Sequence, residues 1–244
     1  MSEVKDVSWF GDWVSRRLKT KRNFLMAVVG ETGSGKSYLA LRLAEKFDRN
    51  GDFNEDHIVF TPSDFLDCVN RLGNNCFIVV DEAGLMFSHR EYATMVNRML
   101  GFVLQSFRYK YLNCIFTLPN LGFMDYVGRS LMHCVVRMLD HGHGVVYRVQ
   151  KDQLGRKIYF PKIGYLKTEL PSEAIIKVYE EKKARVMDQR YKEYKVEIET
   201  GERSFRFASP LDIVKYIRAN KMEDLLKEGD RFDAVSISAH FDIN

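Results

Sequence analysis

The sequence is organised around the stretch Gly30-Glu31-Thr32-Gly33-Ser34-Gly35-Lys36-Ser37, which reads G-x-x-x-x-G-K-S. A short apolar run at 24–29 precedes it, and an apolar pattern with helical spacing at 38–44 follows it. This order of strand, glycine loop and helix is the context in which the motif forms a phosphate-binding loop. Glycines let backbone N–H groups turn toward phosphate oxygens, and the positive end of the following helix lies behind them. The stretch therefore predicts a site for a nucleoside triphosphate.

Two side chains of this loop have predicted roles. Lys36 is expected to lie exposed in the loop, to contribute little packing, and to reach the β- and γ-phosphates as a point charge. The hydroxyl of Ser37 is expected to ligate Mg²⁺. The residues expected to contact ATP are Gly30, Glu31, Thr32, Gly33, Ser34, Gly35, Lys36, Ser37 and Tyr38.

A second informative stretch is an apolar run that ends in two acids, Cys76-Phe77-Ile78-Val79-Val80-Asp81-Glu82. A continuous apolar run is typical of a strand buried on both faces of a parallel sheet. Asp81 at its carboxyl end is predicted to hold the Mg²⁺ shell through water. Glu82 is predicted to polarise the water that attacks the γ-phosphorus, by accepting a hydrogen bond from it.

A third buried strand is predicted at 113–117, and it ends in the polar residue Thr117. A polar group at the tip of a strand beside the Asp81 strand can contact the γ-phosphate or the attacking water. Thr117 is therefore predicted to act as a sensor of the γ-phosphate. The alternative is a threonine that simply ends a strand, for which its β-branched side chain is well suited.

The remaining elements of the first two thirds are read from apolar spacing and turn residues. A second strand is predicted at 57–60, and a helix follows it from Pro62. A long helix is predicted from about Tyr92 to Tyr111, and a short one over 123–133. Strands are predicted at 134–138, 145–149 and 156–160, with a glycine turn at 141–144. His141 and His143 in that turn lack the further partners that a metal site needs.

Length and composition predict one large α/β domain with a smaller module. The chain has 244 residues, of which 45% are hydrophobic and 29% charged, and its net charge is +4. Four cysteines in apolar segments indicate buried free thiols in a reducing compartment. No apolar run has the length of a membrane span, and the start of the chain has no signal-peptide core. We therefore expect a cytoplasmic protein.

Four segments are expected along the chain: an amphipathic extension over 1–23, a core over 24–165, a linker helix within 166–195, and a C-terminal module over 196–244. The extension could lie on a membrane or a partner, but packing of its two tryptophans on the main domain is the preferred interpretation. The linker helix has a thin apolar stripe, Ile176, Tyr179 and Val186, and is expected not to be a core helix.

The C-terminal module is expected to be small and mainly helical. A hairpin is predicted around Thr200-Gly201, followed by helices through Ile217, at 223–227, and from Phe232. Residues 237–244 look like the first helix and turn of a helix-turn-helix, after which a recognition helix is expected. Either the sequence is a truncated form of a longer chain or the resemblance is accidental.

The quoted motifs resemble those of the FtsK–HerA superfamily of DNA-pumping ATPases. Residues 30–37 resemble that family's G-x-T-G-S-G-K-S loop, and Val79-Val80-Asp81-Glu82-Ala83 is similar to its D-E-A segment. The later stretches 105–108, 116–119 and 129–133 look like FtsK–HerA-like ATPases of archaeal viruses and integrated elements. The resemblance covers about residues 24–165.

This resemblance implies a RecA-like P-loop core, with a mostly parallel central sheet flanked by helices. It also implies ATP and Mg²⁺ as ligands, double-stranded DNA as partner, and a homo-oligomeric ring, often a hexamer. A finger arginine would act on the neighbouring subunit's site, with Arg129 as first choice and Arg108 as second.

The implied function is an ATP-driven DNA motor for packaging or transfer of a viral or mobile-element genome, in the cytoplasm of a prokaryotic cell. An ATP-gated DNA-binding or assembly factor is the main alternative. A small-molecule kinase is a third, although an acid directly after Asp81 suits activation of water and no arginine-rich lid is evident.

Overall fold

The predicted α/β class is confirmed in the computed structural model, whose described residues are 8–20, 22–48, 51–72, 76–81, 111–200, 226–227 and 231–232. The helices are α1 (Ser8–Lys19), α2 (Lys36–Phe47), α3 (Pro62–Arg71), α4 (Tyr126–Leu131) and α5 (Glu173–Thr200). The strands are β1 (Leu25–Val29), β2 (Ile58–Val59), β3 (Phe77–Val80), β4 (Asn113–Leu118), β5 (Cys134–Asp140), β6 (His143–Arg148), β7 (Gln150–Lys151), β8 (Ile158–Tyr159), β9 (Lys162–Lys167), β10 (Leu226–Lys227) and β11 (Arg231–Phe232).

Seven strands form the central sheet in the order β2-β3-β4-β1-β5-β6-β9. The five strands from β2 to β5 are parallel to one another, and β6 and β9 extend the sheet antiparallel. The mostly parallel central sheet is thus confirmed. Strand β4 lies between β1 and β3, so the glycine-loop strand and the Asp81 strand are separated by one strand. After β1 the chain passes to β2 at one edge and returns through β3 to β4, and then crosses β1 to form β5 on its other side. This reversal of strand order opens a crevice at the carboxyl ends of the strands.

Alternate residues of the buried strands face two separate cores. In β1 and the residue before it, Phe24, Met26 and Val28 contribute to one core, and Leu25, Ala27 and Val29 to the other. Helices α1, α2 and α5 cover the first face, and α3 and α4 cover the second. Because helices cover both faces, the parallel strands read as continuous apolar runs in the sequence.

Helix α1 packs into the first core. Phe10, Val14 and Leu18, spaced four residues apart, are at most 4% exposed. The Trp9 indole N–H donates to the carbonyl of Tyr165 in β9 at 3.3 Å, and Trp13 packs edge-on against Phe24. The preferred interpretation, that both tryptophans pack on the main domain, is confirmed.

Helix α5 corrects two predictions. Ile175 and Tyr179 are 7% and 1% exposed within the first core, so the first half of the helix is a core element. The expectation that this helix is not a core element was wrong, because a thin stripe of large side chains is enough to bury its first half in that core. The helix also continues to Thr200, so residues 196–200 are helical and do not form the first strand of the hairpin predicted around Thr200-Gly201.

The late strands also differ from the prediction. Strand β8 pairs only with β7, in a two-stranded ribbon separate from the central sheet. The edge strand of that sheet is instead β9, which no pattern indicated because it is largely exposed. Within the described ranges, no helix combines the length and the apolar composition that a membrane crossing needs.

The chain divides into two compact units, Met1–Arg190 and Tyr191–Asn244. In the second unit, β10 and β11 pair antiparallel, where the sequence predicted a helix at 223–227 and another from Phe232. The long helix before Tyr111, the residues Glu82 and Arg108, and the expected helix-turn-helix segment at 237–244 lie outside the described residues.

Candidate functional site

The glycine loop between β1 and α2 depends on three glycines. Gly33 and Gly35 have φ values of 82° and 83°, a left-handed conformation that side chains other than glycine rarely adopt. Gly35 is also the N-cap residue of α2. Gly30 is needed for packing, since a Cβ there would lie 2.8 Å from Ser34 Oγ and 2.9 Å from Met138 Cβ. These three glycines therefore shape the backbone of the loop. Because they carry no side chains, they leave its interior free for backbone N–H groups.

Lys36 is buried inside this loop rather than exposed, which corrects the prediction. Its side chain folds back so that Nζ donates to the carbonyl oxygens of Gly30 and Glu31, both at 2.9 Å. The residue is 8% exposed because the loop curls around the ammonium group. The ammonium group thus lies among the backbone groups of the loop, where an anion bound to the loop would meet it.

Asp81 is the centre of the polar network beside the loop. It is fully buried, and its backbone N–H donates to the carbonyl of Val59 at 3.0 Å. Its Oδ1 accepts hydrogen bonds from Ser37 Oγ and Thr117 Oγ1, both at 2.7 Å. The structure therefore brings together three predicted site residues, from the start of α2 and from the carboxyl ends of β3 and β4.

The register of the sheet explains this convergence. Val80 pairs with Phe116, so the next residues in the two parallel strands, Asp81 and Thr117, are neighbours across the ladder. Both continue the alternation that turns Val79 and Ile115 toward the first core, the face covered by α2. Ser37 lies in the first turn of α2, directly above this pair. The polar cluster thus follows from the alternation of side chains along β3 and β4 together with the strand order β3-β4-β1.

Tyr179 of α5 completes the shell of Asp81, and the sequence reasoning missed it. Its hydroxyl donates to Asp81 Oδ2 at 2.8 Å, and Lys183 Nζ donates to the same hydroxyl at 3.0 Å. Burial, with the Asp81 charge as a second cause, raises the pKa of Tyr179, which keeps the phenol protonated as a donor. The sequence signal for this contact was one tyrosine in the thin apolar stripe of α5. Helical spacing does not reveal which side chain such a residue contacts.

A second contact joins α5 to the loop region. The hydroxyl of Tyr38, the residue that follows Ser37, donates to Glu180 Oε1 at 3.0 Å. Burial, and then Glu180, raise the pKa of Tyr38. Two consecutive residues of α5, Tyr179 and Glu180, therefore contact two different parts of the site.

The turn between β5 and β6 lies against the other side of the loop. A Cβ built at Gly35 would lie 3.1 Å from His141 Nδ1. His143 Nδ1 lies 3.0 Å from the His141 backbone oxygen, so this ring is engaged with the turn itself. Across the part of the chain that the structure describes, no three His, Cys, Asp or Glu side chains converge as a metal cluster.

Arg129 is not brought into this chain's own site. Its Nε donates to the carbonyl of Asp125, the N-cap residue of α4, at 3.3 Å. Helix α4 leads to His133, whose Nδ1 accepts from the N–H of Leu25 at the start of β1, at 2.9 Å. Arg129 therefore lies toward the amino edge of β1, whereas the glycine loop follows its carboxyl edge. The other two catalytic candidates, Glu82 and Arg108, lie outside the described residues.

Comparisons with known proteins add no relatives. No family model matches this chain, and no curated protein or solved structure matches it either.

Proposed function

We propose that this chain is a Mg²⁺-dependent ATPase whose triphosphate site is the glycine loop at 30–37. The observation that carries the proposal is the 2.7 Å hydrogen bond between Ser37 Oγ and Asp81 Oδ1, from a loop hydroxyl to a buried carboxylate. In phosphate-loop enzymes, a Ser or Thr of the loop and an acid at a strand end hold the metal. Ordinary packing gives no reason to bury a carboxylate beside an open glycine loop.

The loop has the features that a phosphate needs. Two left-handed glycines leave its backbone N–H groups free of side-chain obstruction. The Ser34 hydroxyl is buried and has no hydrogen-bond partner among the described residues. A buried polar atom without a partner is unfavourable by about 1–3 kcal/mol, and a phosphate oxygen could satisfy it. Lys36 can exchange its two backbone carbonyl acceptors for phosphate oxygens.

The donor set beside the loop fits Mg²⁺. This ion keeps several waters and takes one or two carboxylates together with phosphate oxygens, so a larger cluster of protein ligands is not required. Ser37 would hold the ion directly, and Asp81 through water. When bound, Mg²⁺ supplies neutralisation of the charge on the phosphoryl group. Thr117 and Tyr179 hold the two oxygens of Asp81 in place, and we assign to Glu82 the orientation of the attacking water.

We further propose that hydrolysis drives movement of double-stranded DNA by an oligomeric ring with a RecA-like core. Two features support this proposal: the sheet order, with β4 between the loop strand and the Asp81 strand, and the motif resemblance to FtsK–HerA ATPases. Arg129 is the proposed finger for a neighbouring site, since it lies away from the chain's own loop.

One experiment tests the motor proposal. The ATPase rate and the oligomeric mass are measured together, with and without duplex DNA. The proposal expects duplex DNA to stimulate hydrolysis by an assembled ring. A basal rate that stays unchanged across DNA types and lengths would contradict it.

An ATP-gated DNA-binding or assembly factor is a second candidate, favoured by the contacts of α5. Tyr179 contacts Asp81, and Glu180 contacts Tyr38. A ligand in the loop would therefore change the hydrogen bonds that hold α5 against the site. This candidate expects DNA binding to persist in Glu82→Gln and to disappear when residues 196–244 are removed. DNA binding that needs hydrolysis would favour the motor instead.

A further inference from the structure

A groove unrelated to the triphosphate loop lies along helix α1. Two adjoining cavities of about 360 Å³ and 390 Å³ share Trp13, Arg16 and Arg148 in their linings. Trp9 lines the first, and Arg17 and Arg22 line the second. We call the surface formed by these six residues the basic groove.

The floor of the basic groove is fixed by close packing. The Trp9 indole lies directly over Gly164 of β9, where a Cβ would come within 2.6 Å of Trp9 Cζ2. Trp13 packs against Phe10 and Phe24, with ring centroids 5.8 Å apart in both pairs. Both indoles are half-buried, so each presents part of its surface to the groove from a fixed position.

The charge of the basic groove is strongly positive. Among the residues that the structure describes, four guanidinium groups line the two cavities, against one carboxylate, Asp12. Arg16, Arg22 and Arg148 are exposed, and none of them forms an ion pair with a described residue.

Arg17 differs from these three, because its side chain is held by the fold. It donates to the carbonyl of Asn23 at 2.6 Å and contacts His133 Nε2. Burial, and then the nearby charge of Arg22, lower the pKa of Arg17. The unneutralised charge therefore belongs to three exposed side chains around the aromatic floor, and of these Arg16 donates from Nε to the carbonyl of Asp12 at 3.3 Å.

We propose that the basic groove binds single-stranded nucleic acid, with phosphates on Arg16, Arg22 and Arg148 and a base against Trp13. A positive groove combined with aromatic side chains is the usual design for single strands, whose unpaired bases offer a flat face for stacking. Cavities of this size are also in the range of small-molecule sites, which suits one nucleotide unit in each.

The shape of the groove favours this partner over a lipid surface or a duplex. Residues that anchor a protein to a membrane project their apolar side chains outward, whereas these two indoles are recessed in a concavity. A duplex keeps its bases stacked on one another, so it could place only a phosphate strand along the arginines. A single strand satisfies both the charge and the aromatic floor.

The inference goes beyond the proposed function, because it adds a single-strand site apart from the duplex that the proposed motor moves, and it requires no hydrolysis. Trp9 and Trp13 are the two tryptophans of the chain, so intrinsic tryptophan fluorescence reports on this groove alone. The test uses the full chain and a fluorescein-labelled oligothymidylate, with anisotropy for affinity and unlabelled oligomer for tryptophan quenching. Both are measured across a salt series.

The test variant is Arg16→Ala with Arg148→Ala. The matched control is Arg71→Ala with Arg185→Ala, which removes two exposed arginines that pair with Asp56 and Glu55 elsewhere on the surface. Each single-strand phosphate contact contributes about 0.7 to the slope of log K against log salt. Loss of two contacts should therefore lower the slope by roughly 1.4 and weaken binding about 25-fold at 0.1 M salt. The control should change affinity by less than about twofold.

Three results would overturn the proposal. The first is equal weakening in the two double variants, and the second is oligomer binding without tryptophan quenching. The third is binding of phosphatidylserine vesicles or of duplex DNA that depends on Arg16 and is tighter than binding of the single strand.

Lys36→Ala, which disables the proposed ATPase, should leave oligomer binding unchanged. Groove binding without any ATPase would overturn only the proposed function, and ATPase without groove binding would overturn only this inference.

Discussion

Replacement of Tyr179 by phenylalanine tests the polar network around Asp81. The ring and its buried position are kept, while the hydroxyl that donates to Asp81 Oδ2 at 2.8 Å and accepts from Lys183 at 3.0 Å is removed. A hydrogen bond to a charged group contributes about 1.5–3 kcal/mol, and Asp81 keeps its two other donors. We therefore expect a loss of about 2 kcal/mol in the free energy of unfolding. For a domain of this size, that loss corresponds to a Tm lower by roughly 4–8 °C.

Scanning calorimetry without nucleotide measures this effect, and Tyr159→Phe is the matched control. Tyr159 is 50% exposed on β8, so its variant should stay within about 0.5 kcal/mol of the parent chain. With ATP and Mg²⁺ present, the gap between Tyr179→Phe and the parent should narrow, because water in the metal shell can donate to Asp81 instead. A Tm for Tyr179→Phe equal to that of Tyr159→Phe would refute the proposed network.

Three further predictions concern other parts of the chain. Glu82→Gln should keep ATP binding while hydrolysis falls by about 10²–10⁴-fold, as measured by phosphate release; retained hydrolysis would remove Glu82 from the mechanism. Gly30→Ala should weaken ATP binding and lower stability by roughly 1–3 kcal/mol, because its Cβ would meet Ser34 and Met138. Denaturant unfolding with ATP titration checks this, and unchanged binding would contradict the loop geometry. Burial lowers the pKa of His133 to about 3 from 6.5, so the unfolded chain binds a proton that the folded chain excludes. Stability should therefore fall as pH drops below 6.5, by about 3 kcal/mol at pH 4. His133→Asn, which keeps an acceptor for the Leu25 N–H, should flatten this slope in urea titrations, and an unchanged slope would exclude His133 as its source.

The elements with strong local signals were predictable from the sequence. The apolar run before the glycine loop could only be a strand that leads into it, and a run that ends in Asp81 could only bring that acid to the same edge of a parallel sheet. The position of Thr117 could be predicted in the same way, because the same apolar pattern places it at the tip of a buried strand. These signals lie within a few residues of each side chain, which is why they could be read without a structure.

The contacts that join distant parts of the chain were not predictable. Tyr179 meets Asp81 only because α5 packs on the face of the sheet that Asp81 also occupies, and a helical stripe does not specify which face. Strand β9 has an exposed pattern, and it joins the sheet by pairing with β6, where Trp9 packs on Gly164. The burial of Lys36 depends on the carbonyl oxygens of Gly30 and Glu31 in its own loop, and no sequence pattern specifies where those carbonyls point.

Calorimetric titration of the chain with ATP, in the presence and absence of Mg²⁺, shows whether the loop at 30–37 binds the triphosphate. We expect one ATP to bind per chain, Mg²⁺ to tighten binding, and Asp81→Asn to remove this dependence on Mg²⁺. We also expect Lys36→Ala to remove binding while the far-ultraviolet circular dichroism stays that of a folded chain. If the parent chain binds no ATP with Mg²⁺ present, or if both variants bind it as the parent does, the triphosphate does not bind in the loop at 30–37.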